Sequence, residues 1–343
     1  MLTDIKPLAR DRLEALLSAV DRADVALIGD LCLDAYWEAD MKLSRLSRET
    51  PHYPLPIVEE RHAPGGAGNV ACNLAALKPR SLSAVGVVGL DWRGDLLVRS
   101  LEARGVGCGL VVRSPEVPTN AYIKPLRRGV SEVVYEDPRL DFENRAPLPA
   151  ECESRVLNAL GEAAARANVV CVSDQMRFGC ATEAVRDRLS ELGRTGKTVI
   201  VDSRDRAHLY HNVTVKPNEI EASRAFSDGR PLDMDALISL AAELYRRNGR
   251  LALITLGDRG SLIADGSGVS HCPACRVEPP IDFCGAGDSF LAALACMLSI
   301  GASPAEAAQV ATLSAAVCIK KIGTTGTAAR EEILEAWDMY WKE

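Results

Sequence analysis

The feature that most restricts the fold is an alternation of strand-like and helix-like segments running through most of the chain. From Ser81 onward, Leu82–Val88 reads as a strand and Gly94–Ala103 as a helix. Val169–Ser173 precedes a helical stripe over Ala181–Leu192, and Thr198–Val201 ends at Asp202. Val213–Val215, the helix Met234–Arg246 and the strand Leu251–Thr255 continue the pattern. This rhythm implies a mostly parallel sheet with helices on both faces. Upstream, Val25–Ile28 reads as the first strand, closed by Gly29 and Asp30. The proline-punctuated Pro51–Val58 and the Tyr-, Ile- and Val-rich Thr119–Glu136 break the alternation; they predict a small β lid over one side of a site. The expected fold class is therefore α/β, a three-layer α/β/α domain over residues 24–326 with lid strands from about 34–62 and 112–137. An appended helix over 1–23, striped by Leu13, Leu16, Leu17 and Val20, precedes it, and a C-terminal helix over 327–343 follows.

Two glycine-rich turns lead into helices. In Ile281–Phe290, the Gly285-Ala286-Gly287 turn precedes Phe290, Leu291, Leu294 and Leu298, which recur at helical spacing. Unpaired backbone N–H groups and the positive end of the helix dipole form a site for an anion there. Asp288 falls in the first turn. A carboxylate beside a bound phosphate fits one chemical role, which is to hold an acceptor hydroxyl, take its proton and aim it at a phosphoryl group. The other reading is a plain helix cap. The second turn, Pro64-Gly65-Gly66-Ala67-Gly68-Asn69, lacks dinucleotide-binding spacing but lets backbone approach a ligand, with Asn69 as donor and acceptor. Asp34, just past the first strand, is placed to take sugar hydroxyls, and Trp37 to stack on a ring; a turn Asp and a half-buried Trp are the alternatives.

Asn218 and Glu221, three apart at a strand end entering a helix, suit Mg²⁺ held through water; an acidic first turn is the competing reading. Thr255-Leu256-Gly257 reads as a strand leaving into a hairpin turn, and Ser303-Pro304-Ala305-Glu306 as a capping box whose helix runs to about Lys321 and stops at Gly323. Gly193–Thr198 imitates a P-loop, but Glu191 stands where a glycine is needed and the loop follows a helix rather than a strand. The lone Cys272-x-x-Cys275 pair lacks partners for a metal site.

A net charge of −7 argues against a nucleic-acid or membrane partner. Eleven cysteines, scattered mostly in apolar runs and unaccompanied by a secretory segment, point to a reducing cytoplasm.

Together these residues resemble the ribokinase-like (PfkB) carbohydrate kinases over roughly Asp24–Gly326. Gly65-Gly66…Asn69 is similar to that family's first signature, Asp282…Gly285-Ala286-Gly287-Asp288 to its second, Asn218…Glu221 to its N-x-x-E element, and Thr255-Leu256-Gly257 to its nucleotide-side strand. The resemblance implies ATP as donor, Mg²⁺ steered by Glu221, and K⁺ or a similar ion near Asp282. It gives Asp288 as base, Gly285, Ala286 and Gly287 as anion hole, and Asp34, Gly65, Gly66 and Asn69 as sugar contacts. Asn218, Thr255, Gly257, Thr312 and Gly323 fall on the nucleotide side. Within the family, Gly29-Asp30…Leu33–Trp37, Ser44–Ser47 and Glu49-Thr50-Pro51 are similar to the heptose 7-phosphate kinase branch, whose members phosphorylate the anomeric hydroxyl. A phosphorylated acceptor needs a cationic handle. Lys124 and Arg128 are the leading candidates, with Arg45, Arg127 and Arg177 behind them. A homodimer formed through the lid is expected, and no nucleotidyltransferase domain is expected after Gly326. Phe283 and Cys284 depart from the second signature, as Thr312 and Asp202-Ser203-Arg204 depart from the branch. Alternatives are a kinase of an unphosphorylated sugar or nucleoside, or a non-catalytic sensor on the same fold.

Overall fold

A computed structural model describes residues 2–129, 133–323 and 325–342. Its strands are β1 Thr3–Asp4, β2 Asp24–Gly29, β3 Leu31–Asp40, β4 Ile57–Gly66, β5 Ser81–Gly89, β6 Gly107–Ser114, β7 Asn120–Arg128, β8 Val134–Glu136, β9 Leu140–Phe142, β10 Val169–Asp174, β11 Thr198–Ser203, β12 Thr214–Val215, β13 Ala252–Thr255, β14 Ser261–Asp265 and β15 Gly268–Cys272. Its helices are α1 Arg10–Ala19, α2 Ala67–Ala76, α3 Trp92–Glu102, α4 Ala150–Arg166, α5 Glu183–Arg194, α6 Glu219–Phe226, α7 Met234–Asn248, α8 Ala286–Ser299, α9 Pro304–Ile319 and α10 Arg330–Tyr340.

Ten strands form one sheet in the order β1-β15-β14-β13-β12-β11-β10-β2-β5-β6, parallel throughout except that β14 runs against both neighbours. Alternating strand residues feed two cores. Val25 and Leu27 face a cluster built with α1, α2, α3, α8, α9 and α10, whereas Ala26 and Ile28 face one built with α4, α5 and α7. A period of two with apolar residues on both sides gives the three-layer architecture expected from the sequence. Among the described residues, no helix is long and apolar enough to cross a membrane.

The lid is a second sheet, β4-β3-β7-β8, with β9 also on β7. Its boundaries differ from expectation. The proline stretch contributes only its end, because β4 starts at Ile57 and continues to Gly66; Pro51, Pro54 and Pro56 lie before it, lacking the N–H a ladder requires. Pro64-Gly65-Gly66 is thus strand end, not turn. β6, which the lid was expected to claim from residue 112, belongs to the main sheet. Val130–Glu132, inside the expected lid strands, lie outside the described residues. Trp37 and Asp34 sit in mid-strand, and β2 passes into β3 through Asp30 alone.

The terminal helices share the main core: Leu13 and Ile333 are fully buried, and Trp337 Nε1 donates to the Leu8 carbonyl at 2.7 Å. The short strand β1, missed in the sequence, extends the sheet beside β15. Helix α8 is buried on all sides from Ser289 to Met297. Such a helix is central rather than amphipathic, and it fixes its own first turn.

Candidate active site

The site gathers at the start of α8. Gly285 takes φ +83° and opens the helix, with no side chain capping its first N–H groups. A methyl on Gly285 would come within 2.9 Å of Asn69 Nδ2, so the position demands glycine for both space and backbone angle. Asn69 Nδ2 donates to Asp288 Oδ2 at 2.5 Å. Asn69 is held in turn by α2: Asn73 Nδ2 donates to the Asn69 carbonyl at 3.0 Å and to the Gly326 carbonyl at 3.3 Å. The two glycine-rich segments therefore meet through a side-chain pair.

Burial pushes the Asp288 carboxyl up to about 7; Asn69 and Lys216 pull it down, and Asp202 and Asp34 add to the rise. A carboxylate with that value is poised to accept a proton near neutrality. Asp34 reaches the same space from β3, and burial raises its carboxyl as well, against Lys124 and Arg139. Its carboxylate folds over Gly65, where an added methyl would lie 2.5 Å from Asp34 Oδ1. Gly66, at φ +55°, then turns the chain into α2.

On the other side, Asn218 opens α6. Its Oδ1 accepts from Ile220 N and Glu221 N, both at 2.9 Å, and Glu221 Oε2 accepts from Asn218 N at 2.8 Å. The pair is a reciprocal capping box, so the ordinary helix-start reading describes their hydrogen bonds. Yet Glu221 is no ordinary surface cap, because burial first, and Asp202 next, raise it to about 7.

Sequence reasoning left Lys216 and Asp202 out of the site. Lys216 is 2% exposed and lies 3.0 Å from Asp202 Oδ2. Burial works against its charge, while Asp202, Glu221 and Asp288 hold its pKa above the ordinary value. The available signal was a lysine closing an apolar strand, Val213–Lys216; a buried ammonium requires carboxylate company. Asp202 alone pairs with this ammonium, and the fields of Glu221 and Asp288 also reach it, so carboxylates outnumber the cation and a divalent ion would balance the excess. Residues Glu221 and Asp202 fit Mg²⁺ on that ground, with Glu221 Oε1 not used by the cap.

Other expected residues are placed less centrally. Asp282 accepts from Cys284 N at 3.0 Å and Gly323 N at 3.1 Å, tying the anion-hole loop to the turn after α9. Its carboxylate holds backbone, and no group of three or more metal-ligating side chains occurs among the described residues. Thr312 Oγ1 donates to the Ala308 carbonyl at 2.9 Å and faces Cys272, inside the core. Thr255 N donates to the Pro217 carbonyl at 3.0 Å, joining β13 to the start of α6, and Gly257 at φ +61° opens onto free space. Ala286 supplies the first helical residue. Lys124 faces the site one step along the lid from Asp34, with Nζ 3.3 Å from Tyr36 Oη. Arg128 does not reach it. It lies opposite Asp40, three steps out, and pairs with Glu38 at 2.7 Å. The P-loop mimic sits at the amino end of β11, with Lys197 Nζ donating to the Ala167 carbonyl.

This arrangement of Asp288, a helix start without a side-chain cap and further shielded carboxylates agrees with a match to the pfkB family carbohydrate kinase model over residues 30–330. The chain belongs to the pfkB family of carbohydrate kinases. Membership makes it an ATP-dependent sugar kinase. It is 31% identical over 319 residues to the "Bifunctional protein HldE" of Bradyrhizobium sp. (strain ORS 278), covering 92% of this chain and 64% of that protein. It is 32% identical over 331 residues to the protein of the same name from Geobacter metallireducens, at 94% and 65% coverage. The chain thus spans somewhat under two thirds of these relatives. In fold it is similar to phosphofructokinase-2 from Escherichia coli solved with substrates and products (TM-score 0.73, 20% identity, 93% and 99% coverage). Arabidopsis thaliana ribokinase complexed with ribose and ATP gives a TM-score of 0.68 at 19% identity, with 92% and 98% coverage.

Proposed function

We propose that this kinase phosphorylates the anomeric hydroxyl of a sugar that already carries a phosphate, resembling D-glycero-D-manno-heptose 7-phosphate. The carrying observation is the Asn69–Asp288 pair at the uncapped start of α8, facing Asp34 on the lid. Asp34 orients the acceptor's hydroxyls. Asp288 takes the hydroxyl proton as the acceptor oxygen bonds to the γ-phosphorus of ATP, and the bond from that phosphorus to the bridging β–γ oxygen breaks to release ADP. The N–H groups of Gly287 and Asp288 steady the charge on the moving phosphoryl, while that of Ala286 is held by the Phe283 carbonyl at 3.2 Å. Glu221 and Asp202 would hold Mg²⁺, which when bound would supply positive charge against the phosphate oxygens. Asn218, Thr255, Gly257 and Gly323 border the nucleotide. Similarity to the HldE relatives supports the heptose over ribose, fructose or adenosine.

An ADP-release assay over sugars, sugar phosphates and nucleosides tests this, with ³¹P NMR of the product. A higher kcat/KM for an unphosphorylated sugar or a nucleoside would overturn the acceptor assignment; tight binding without turnover would favour the sensor reading. The fold neighbour crystallised with potassium is the support for a K⁺ requirement. Equal rates in K⁺ and in choline chloride would remove it.

We place the enzyme in the cytoplasm, where ATP is supplied and its eleven free thiols stay reduced. We also propose a homodimer through the outer lid face. There Trp37, Leu55, Ile57, Pro125, Pro138 and Leu140 line an apolar groove of about 430 Å³. Sedimentation of a monomer at micromolar concentration would contradict it.

A further inference from the structure

The lid strands pair in register, so side chains two residues apart form successive rungs on the face turned toward the site. One rung is Ala63–Asp34–Tyr122 and the next outward is Arg61–Tyr36–Lys124. That second rung has two cations on one aromatic ring. The Arg61 guanidinium lies 5.2 Å from the Tyr36 centroid, and Lys124 Nζ lies 4.8 Å from it. Lys124 has no acidic partner among the described residues; its hydrogen bond is to the neutral Tyr36 hydroxyl. Arg61 is only partly committed, at 3.3 Å from Glu38 and 3.8 Å from Glu59, and Glu38 is also served by Arg128 at 2.7 Å. The other charged groups near this face are Asp34 and, beside Tyr122, Glu143, which accepts from the Tyr122 hydroxyl at 2.6 Å, and Arg139, which is paired through both nitrogens to Asp141 at 2.6 and 2.7 Å.

We infer that the Arg61–Tyr36–Lys124 rung is the subsite for the acceptor's own phosphate. This rests on the kinase reading above and adds to it a residue, Arg61, and a distance. Adjacent rungs on one strand face are about 6.7 Å apart. The subsite therefore selects a sugar whose phosphate sits on an exocyclic carbon, roughly one rung beyond the ring hydroxyls held at Asp34. The dianion is met by an ammonium from β7 and a planar guanidinium from β4, with the Tyr36 hydroxyl between them. Arg128, further out along β7 and tied to Glu38, is not part of it.

The test compares wild type with Arg61→Gln, Lys124→Met and the charge-preserving Arg61→Lys. Calorimetric titration without ATP uses heptose 7-phosphate, the same heptose lacking phosphate, and a sugar acid of equal length; ADP release follows with each. The wild type is expected to prefer the phosphorylated heptose at least 100-fold in Kd. Either neutralising variant should cut that preference 10- to 100-fold, the range for losing a charge-assisted hydrogen bond, and Arg61→Lys should restore part of it. Should Arg61→Gln fail to fold, as judged by circular dichroism, Arg61→Lys and Lys124→Met carry the comparison. A preference unchanged within twofold in the folded variants overturns the inference, as does a wild type that favours the neutral heptose or the sugar acid. Because Kd is read without turnover, a protein that shows the preference but releases no ADP sinks the kinase reading and leaves the subsite standing.

Discussion

Two helix starts border the active site, and each carries a half-buried carboxylate that desolvation raises to about 7. They are built in opposite ways. At α6, Asn218 and Glu221 satisfy one another's backbone, so that terminus is closed by its own side chains. At α8, Gly285 provides no side chain, Asp288 turns away to Asn69, and beyond Ala286, whose N–H donates to the Phe283 carbonyl, the N–H groups of Gly287 and Asp288 stay open. A closed start positions a carboxylate without offering an anion site; an open start offers the anion site and leaves its carboxylate available for chemistry. In the proposed mechanism the same contrast separates metal steering from phosphoryl stabilisation.

The largest expected effect falls on the open start. Asp288→Asn keeps an acceptor for the Asn69 amide but removes the base, and kcat should drop by about 10³-fold or more while the circular dichroism spectrum is unchanged. A variant within tenfold of wild-type kcat would show that Asp288 only caps. Gly285→Ala brings a methyl against Asn69 and strains a φ of +83°; kcat is expected to fall roughly 10²-fold, with less change in acceptor Kd. The closed start should tolerate more. Glu221→Gln can still cap Asn218 N, so the melting temperature should hold while the Mg²⁺ concentration for half-maximal rate rises about tenfold. A lost helix start with unchanged Mg²⁺ dependence would reverse that assignment.

The pH behaviour gives the smallest and most diagnostic differences. As a base, Asp288 works when deprotonated, so kcat/KM should climb as pH rises through about 7. Stability of the unliganded protein should move the other way. The folded carboxyl keeps its proton to about pH 7, whereas the unfolded chain loses it near 3.8. Between those values the folded state binds more protons, and stability falls as pH rises. Asp288→Asn should therefore melt higher than wild type at pH 8 and nearly level with it at pH 4. Equal melting temperatures at both pH values would mean that the carboxylate is not desolvated.

The open start was legible in the sequence because its parts are local. Glycines before a helical stripe and an Asp in the first turn sit within ten residues, and periodicity places the helix. Alternation likewise delivered the parallel sheet. What stayed hidden depends on residues far apart in the chain. Arg61, Tyr36 and Lys124 become one rung only through the register of three strands, and one of those strands was expected elsewhere because its prolines were read as strand rather than as its approach. Lys216 carried a local hint, but its partner Asp202 comes from the neighbouring parallel strand, a pairing that periodicity does not encode. Arg128 shows the reverse case. Its place in the expected lid made it a candidate beside Lys124, yet it lies two further rungs out and pairs with Glu38.

The single-residue passage from β2 to β3 has a mechanical consequence. The lid is not hung on a flexible linker. It continues a central strand through Asp30, whose carboxylate is gripped by the N–H groups of Gln175, Met176 and Cys180 at 2.7–2.8 Å. Any opening of the lid then pivots about a fixed fulcrum. Asp34, four residues along the arm, should travel little, while the Arg61–Lys124 rung swings further. Spin-label distances from the lid tip to the main sheet that stay constant on acceptor binding would refute this. If the arm does swing, the phosphate pulls where leverage is greatest, and a sugar lacking it leaves the hydroxyl end occupied with the lever unmoved.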